Sequence, residues 1–74
     1  MWRMKKISED DLEIIYEHIK SNYRIFIVKL DDETWEAWSS CVWDNVNLFD
    51  VDEPKTVEEW KEHISQYYDL EDFQ

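Results

Sequence analysis

Two histidines, one cysteine, a few serines and no glycine are what this 74-residue chain offers for chemistry at a reacting centre. His18 follows Glu17 and His63 follows Glu62, and neither has a second His or Cys at metal-ligand spacing, so both read as partly exposed helix residues. Cys41 stands between Ser40 and Val42 in a stretch that reads as strand, where a thiol packs as a small inert hydrophobe. Without glycine there is no phosphate-cradling loop and no nucleophile elbow. The inventory predicts a protein that is not an enzyme and carries no cofactor.

Oxygen ligands are more plentiful, with Asp44, Asn45, Asn47, Asp50, Asp52 and Glu53 within ten residues. Calcium loops of the EF-hand type need alternating ligands, a glycine at the sixth position and a glutamate at the twelfth. This segment has neither the glycine nor the spacing, so it reads as a solvated turn and loop, and no metal is expected.

Charge is the strongest signal. Nineteen acidic residues face eight basic ones, for a net charge of −11. Residues 1–30 hold six Lys/Arg and five Asp/Glu, a net of +1, while residues 31–74 hold two and fourteen, a net of −12. Such a balance argues against direct binding to nucleic acid or anionic membrane and favours a basic partner. Carboxylates four apart on a helix lie about 6 Å apart along its axis. Glu9, Glu13 and Glu17 would fit that spacing, as would Glu58 and Glu62, and Asp50 and Asp52 in extended chain would be about 6.6 Å apart. Two phosphate steps of a DNA strand cover about 6.8 Å, so rows of carboxylates at these intervals can imitate a phosphate backbone. Amphipathic helices carry acidic ridges for solvation alone. Uncompensated repulsion on this scale nevertheless favours a surface that meets something basic. The expected partner-binding set is Asp31, Asp32, Glu33, Glu36, Asp50, Asp52, Glu53, Glu58, Glu59 and Glu62, with Trp38 and Tyr67 as aromatic anchors, since interface hot spots favour such rings beside a charged rim.

The elements that must position these groups read as α-β-β-β-α. Ser8 and Asp11 make a capping-box-like start, and Leu12, Ile15, Tyr16 and Ile19 recur at helical spacing, predicting a first helix that Asn22 closes. Tyr23 to Leu30 is β-branched and aromatic, a strand; Asp31-Asp32-Glu33 turns the chain. Thr34 to Trp43 alternates as a second strand, with Trp35, Ala37, Ser39, Cys41 and Trp43 on one face and Glu36 and Trp38 on the other. Asp44-Asn45 reads as a two-residue hairpin turn into a third strand, Val46 to Val51. After Pro54, Thr56 and Glu59 form a Thr-x-x-Glu capping box for a helix over Val57 to Tyr68, and Asp69 to Gln74 reads as an acidic tail. The expectation is one α+β domain over residues 1–74, an antiparallel three-stranded meander with two helices. An exposed edge on the third strand would allow a homodimer.

A domain this small buries only about 60% of its unfolded surface, so dense aromatic packing must carry it, and five Trp, four Tyr and three Phe can. No apolar run approaches the roughly 20 residues that span a bilayer, and Met1 to Lys6 lacks a secretory apolar region. With a single cysteine the expected compartment is the reducing cytoplasm.

A short, glycine-free, acidic, Trp-rich α+β chain with an anionic stretch from Asp31 to Asp72 resembles the phage-encoded inhibitors of host defence, the anti-CRISPR and anti-restriction proteins of the DNA-mimic type. The resemblance implies an inhibitor of a basic nucleic-acid-binding protein, a nuclease or a CRISPR or restriction effector, acting in the host cytoplasm. An immunity-like or antitoxin-like protein, or a small adaptor that caps a basic surface, is the alternative. The α-β-β-β-α order is also similar to the double-stranded-RNA-binding domain, but Val57-Glu58-Glu59-Trp60-Lys61-Glu62 is acidic where that family needs cations.

Overall fold

The computed structural model describes residues 2–51, 53 and 55–73. Four strands lead the chain: β1 (Trp2–Glu9), β2 (Glu13–His18), β3 (Arg24–Lys29) and β4 (Trp35–Ser39). The short helix α1 (Val42–Asp44) runs on into wider π-type turns over Asn45–Phe49, and α2 (Val57–Ser65) and β5 (Tyr68–Leu70) complete the chain. All five strands join one sheet in the order β4-β3-β2-β1-β5. Pairing is antiparallel throughout except for β5, which lies parallel to β1. The protein is therefore α+β, but with five strands in a mixed sheet rather than the expected α-β-β-β-α.

The first predicted helix is instead the end of β1, a turn, and β2. The apolar residues Leu12, Ile14 and Tyr16 also recur at every second position, and a short apolar run fits either period. The consecutive β-branched Ile14 and Ile15 and a competent turn at Asp10 decide for strand. Asp10 Oδ1 accepts the Leu12 and Glu13 amides at 2.8 and 2.9 Å, and Asp31 Oδ1 repeats the device with the Glu33 and Thr34 amides at 3.0 and 2.9 Å. These Asx turns suit a chain without glycine, in which no described residue has positive φ. An extra residue at Ile7 shifts the β1–β2 register between Lys6 and Ser8.

The same absence of positive φ explains the missing third strand of the meander. A two-residue type I′ hairpin at Asp44-Asn45 needs positive φ at both positions. Asn45 instead takes φ −60° and ψ −41°, and the chain coils through Val46 to Phe49. The preceding strand stops at Ser39, whose hydroxyl bonds the Cys41 amide and carbonyl, both at 3.0 Å. Helix α2 has its expected capping box, with the Glu59 amide donating to Thr56 Oγ1 at 3.2 Å and the Thr56 amide to Glu59 Oε1 at 3.0 Å. It ends at Ser65, short of Tyr68, because Tyr68–Leu70 joins the sheet as β5. Residues 69–74, expected as a tail, thus begin inside the sheet. Pro54, expected to stop the preceding element, lies outside the described residues.

One face of the sheet is covered. Met4, Ile14, Tyr16, Ile25, Ile27 and Ala37 form a buried layer with Phe49, Trp60 and Ile64 from the helical segments. Trp60 ties the layers together, its Nε1 donating to the Trp35 carbonyl at 2.7 Å. A polar latch fixes the end of the chain: Tyr16 donates to Asp72 Oδ1 at 2.8 Å, and Lys61 and Lys6 reach Asp72 Oδ2 at 3.1 and 3.2 Å. Burial pushes the Asp72 carboxyl up, but these three partners outweigh it and hold the group below the usual carboxylate range.

The free edge expected to make a homodimer does not exist as such, since Val46–Val51 is not a strand. The edge strands are β4 and the three-residue β5, and β4 is blocked at both ends. Lys55 pairs with Trp35, the Trp35 amide donating to the Lys55 carbonyl at 2.8 Å. At the other end, the side-chain amide of Asn45 takes the place of a neighbouring strand by bonding both the amide and the carbonyl of Ser39.

Candidate protein-binding surface

The uncovered face of the sheet follows from the register. Ile15, Phe26 and Trp38 form a row across β2, β3 and β4, flanked on one side by Lys5, Glu17 and Arg24 and on the other by Glu13, Val28 and Glu36. Phe26 and Trp38 pack with ring centroids 6.2 Å apart. An antiparallel sheet with one open face normally turns polar side chains outward, and this row is apolar instead.

The row reaches the β4 edge, where a shallow recess is lined by Glu36, Trp38, Val42, Val46 and Asp50. Next to it, Leu30, Trp35, Glu36, Asp50 and Glu53 line a second. Glu36 and Asp50 are common to both. The structure thus gathers Glu36, Asp50, Glu53 and Trp38 along one edge, with the Asp31-Asp32-Glu33 turn following Leu30 at its end. Glu58, Glu59 and Glu62 are exposed on α2 and line neither recess. Tyr67 belongs to a different recess, with Trp2 and Tyr23. Asp52 lies outside the described residues.

Not all of the predicted set is free for a partner. Asp31 turns the chain, and the Glu33 and Thr34 groups that bond it hold its carboxyl below the usual range. Glu59 closes the helix cap, and the Thr56 amide and hydroxyl do the same to it. Both are anionic at any ordinary pH, but their first role is local structure. The expected ridge of Glu9, Glu13 and Glu17 is absent, because those residues lie on two strands. Glu9 pairs with Lys6 at 2.7 Å and Glu17 with Arg24 at 2.9 Å, which relieves the repulsion a helix would have imposed.

The ion pairs of the described residues all lie on or beside β1, β2, β5 and the core face of α2. They join Arg3 to Asp69, Lys6 to Glu9 and Asp72, Arg24 to Glu17, and Lys61 to Asp72. Among the described residues, none of Asp31, Asp32, Glu33, Glu36, Asp50, Glu53, Glu58, Glu59 or Glu62 is ion-paired. Lys29 and Lys55 act on Asp31 and Glu59 without forming an ion pair, and Lys55 sits 5.9 Å from the centroid of the Trp60 ring.

The helical segment adds residues that the sequence did not single out. Val42, Trp43 and Val46 are 78%, 68% and 65% exposed, while Asp44 and Asn45 are partly buried and hydrogen-bonded within the molecule. Read as strand and turn, this stretch placed Trp43 on the inner face. Read at helical spacing, Val42, Trp43 and Val46 fall together on the outside, the signal that could have found them.

Among the described residues no group of His, Cys, Asp and Glu is arranged to hold a metal ion, and no helix is long and apolar enough to cross a membrane. Compared with models of known protein families, with curated sequences and with solved structures, the chain matches none.

Proposed function

We propose that this protein is a non-enzymatic binding protein that inhibits a basic nucleic-acid-binding protein, a nuclease or a CRISPR or restriction effector, by presenting carboxylates where that partner expects phosphates. The observation that carries the reading is the gathering of carboxylates without an ion pair, Glu36, Asp50 and Glu53, beside Trp38 along the β4 edge. The four ion-paired carboxylates, Glu9, Glu17, Asp69 and Asp72, lie on β1, β2, β5 and just after β5, while those of the β3–β4 turn, the β4 edge, Glu53 and α2 form no ion pair among the described residues. Glu36, Asp50 and Glu53 lead, Asp32, Glu33, Glu58 and Glu62 extend the field, and Trp38 supplies an aromatic contact between them. The field steers the encounter, and the desolvated rings hold the complex.

A second reading, an adaptor or immunity-like protein that caps a basic surface unrelated to nucleic acid, is favoured by one observation. Exposed Trp43, Val42 and Val46 beside the acidic edge exceed what imitation of a phosphate backbone requires. Competition separates the two readings. With a captured nuclease or effector, mimicry requires that duplex DNA and this protein exclude each other, and that the affinity fall steeply between 50 and 200 mM salt, as roughly expected when several charge contacts form. Simultaneous binding of both overturns mimicry and leaves the capping role.

A further inference from the structure

The end of the sheet where β3 begins holds an arrangement that the acidic edge does not explain. Trp2, Tyr23, Tyr67 and Tyr68 surround a recess of about 420 Å³ that Asp44 also lines. Trp2 stands edge-on to Tyr23, with ring centroids 5.5 Å apart and planes at 87°, and Tyr23 stacks on Tyr68 at 5.6 Å. His18 stacks on Trp2 at 4.2 Å and braces that wall. The register brings three of them together: Trp2 is paired with Tyr68, and Met4 with His18, so the Trp2, His18 and Tyr68 rings project from the helix-covered face of the sheet, beside Tyr23 just before β3 and Tyr67 just before β5.

Asp44 is the unusual member. Its Oδ2 accepts from the Tyr23 hydroxyl at 2.7 Å and the Tyr68 hydroxyl at 3.1 Å. Among the described residues its Oδ1 has no hydrogen-bond donor, and no lysine, arginine or histidine pairs with the carboxylate. A carboxylate with one oxygen open and electron-rich rings around it attracts an entering cation. The two phenol hydroxyls, themselves 2.7 Å apart, converge on one oxygen and leave the other as the open acceptor.

We propose that this recess is a binding site for an aliphatic ammonium group that retains at least one N–H. The rings attract the charge and the alkyl substituents through their faces and edges, and Asp44 Oδ1 accepts the N–H. A quaternary ammonium, which has no N–H, loses that hydrogen bond and crowds the carboxylate. The site does not depend on the acidic β4 edge. The ammonium can come from a free alkylamine or from a lysine side chain, and the two share this chemistry.

Titration with N,N-dimethylbutylammonium, butyltrimethylammonium and 1-hexanol, followed by the Trp2 indole N–H resonance and by intrinsic fluorescence, tests the proposal. The expected order is dimethylbutylammonium at least fivefold tighter than the quaternary ion and at least tenfold tighter than the neutral alcohol. Nα-acetyl-lysine methylamide, with its Nε-acetylated form as the neutral control, tests the lysine source. Binding of the charged form within threefold of the free amine assigns the site to lysine side chains, and binding of the free amine alone assigns it to small amines. Asp44→Asn is expected to weaken the amine at least tenfold. Should that variant misfold, Trp2→Leu removes a wall whose ring is half exposed and carries the same expectation. Equal affinity for amine and alcohol, a quaternary ion bound as tightly as the tertiary one, or undiminished binding by a folded variant overturns the site.

Discussion

Asn45 stands in for a neighbouring strand at Ser39: its side-chain carbonyl accepts the Ser39 amide and its side-chain NH2 donates to the Ser39 carbonyl. Both groups lie on the open side of β4 and would otherwise be left to water or to another chain. Asn45→Ala should destabilise the domain by about 1–3 kcal/mol through unsatisfied, partly buried backbone groups. That corresponds to a melting-point drop of about 4–8 °C per kcal/mol. Sedimentation should also reveal concentration-dependent self-association, since the variant exposes the edge that the wild-type chain closes. A variant that stays monomeric and melts like the wild type contradicts this account of the edge.

Asp72 collects three partners, and its pH behaviour follows from them. Its folded-state carboxyl is held below the unfolded value, so its contribution to stability is complete above the unfolded pKa and is lost as pH falls through the folded one. Asp72→Asn should lower the melting temperature near pH 7, with a loss of about 1–3 kcal/mol for charge-assisted bonds. The gap between the two proteins should narrow on acidification below about pH 4, where the wild-type carboxyl protonates too. Parallel melting curves from pH 7 to pH 2.5 would contradict it.

The exposed and buried tryptophans should separate cleanly. Trp43→Ala should leave stability within about 1 kcal/mol, since its ring is 68% exposed and little packing is lost, while weakening partner binding tenfold or more. Trp60→Ala removes a ring that is 2% exposed together with its hydrogen bond to Trp35. It should cost about 3–5 kcal/mol, enough to unfold much of a domain this small at 37 °C by circular dichroism.

Neutralising the acidic edge should act on association rather than on folding. In the triple variant Glu36→Gln, Asp50→Asn and Glu53→Gln, three exposed charges that repel one another disappear, and stability should hold or rise by about 0.5 kcal/mol. The association rate should fall at least tenfold at low salt, with a much smaller change in dissociation rate by surface plasmon resonance. An unchanged association rate moves the binding face elsewhere.

The capping box at Thr56 and Glu59 gives a local check. Thr56→Ala should cost about 1 kcal/mol. Glu59→Gln should cost less, because an amide oxygen still accepts the Thr56 N–H, and thermal melts of the two variants should show that order.

What could be read from the residues alone follows a physical line. Strand β3 and helix α2 were legible because one is a continuous β-branched run and the other opens on a Thr-x-x-Glu box. Residues 8–22 misled because their apolar spacing fits both periods, and the choice rested on a turn that Asp10 makes with its side chain rather than with glycine. Val46 to Val51 misled because hairpin formation at Asp44-Asn45 required a left-handed backbone that neither residue adopts. The acids of the β4 edge were visible as charge, but their shared recess depends on Trp35 meeting Lys55, a contact no local pattern encodes. The Asp44 recess stayed hidden for the same reason, since it depends on where the segment after β4 folds back, whereas Trp43 was missed because its stretch was read at strand rather than helical spacing.

The parallel pairing of β5 with β1 has a kinetic consequence. Arg3 meets Asp69 across 66 positions of sequence, whereas β1 through β4 zip together through short turns. Loop-closure entropy opposes the long-range pair until the hairpins and α2 are in place. Strand β5 should therefore dock last and leave first, so that a protease nicking the chain between Ser65 and Tyr68 would strip β1 of one of its two partners and loosen both ends of the molecule in a single event.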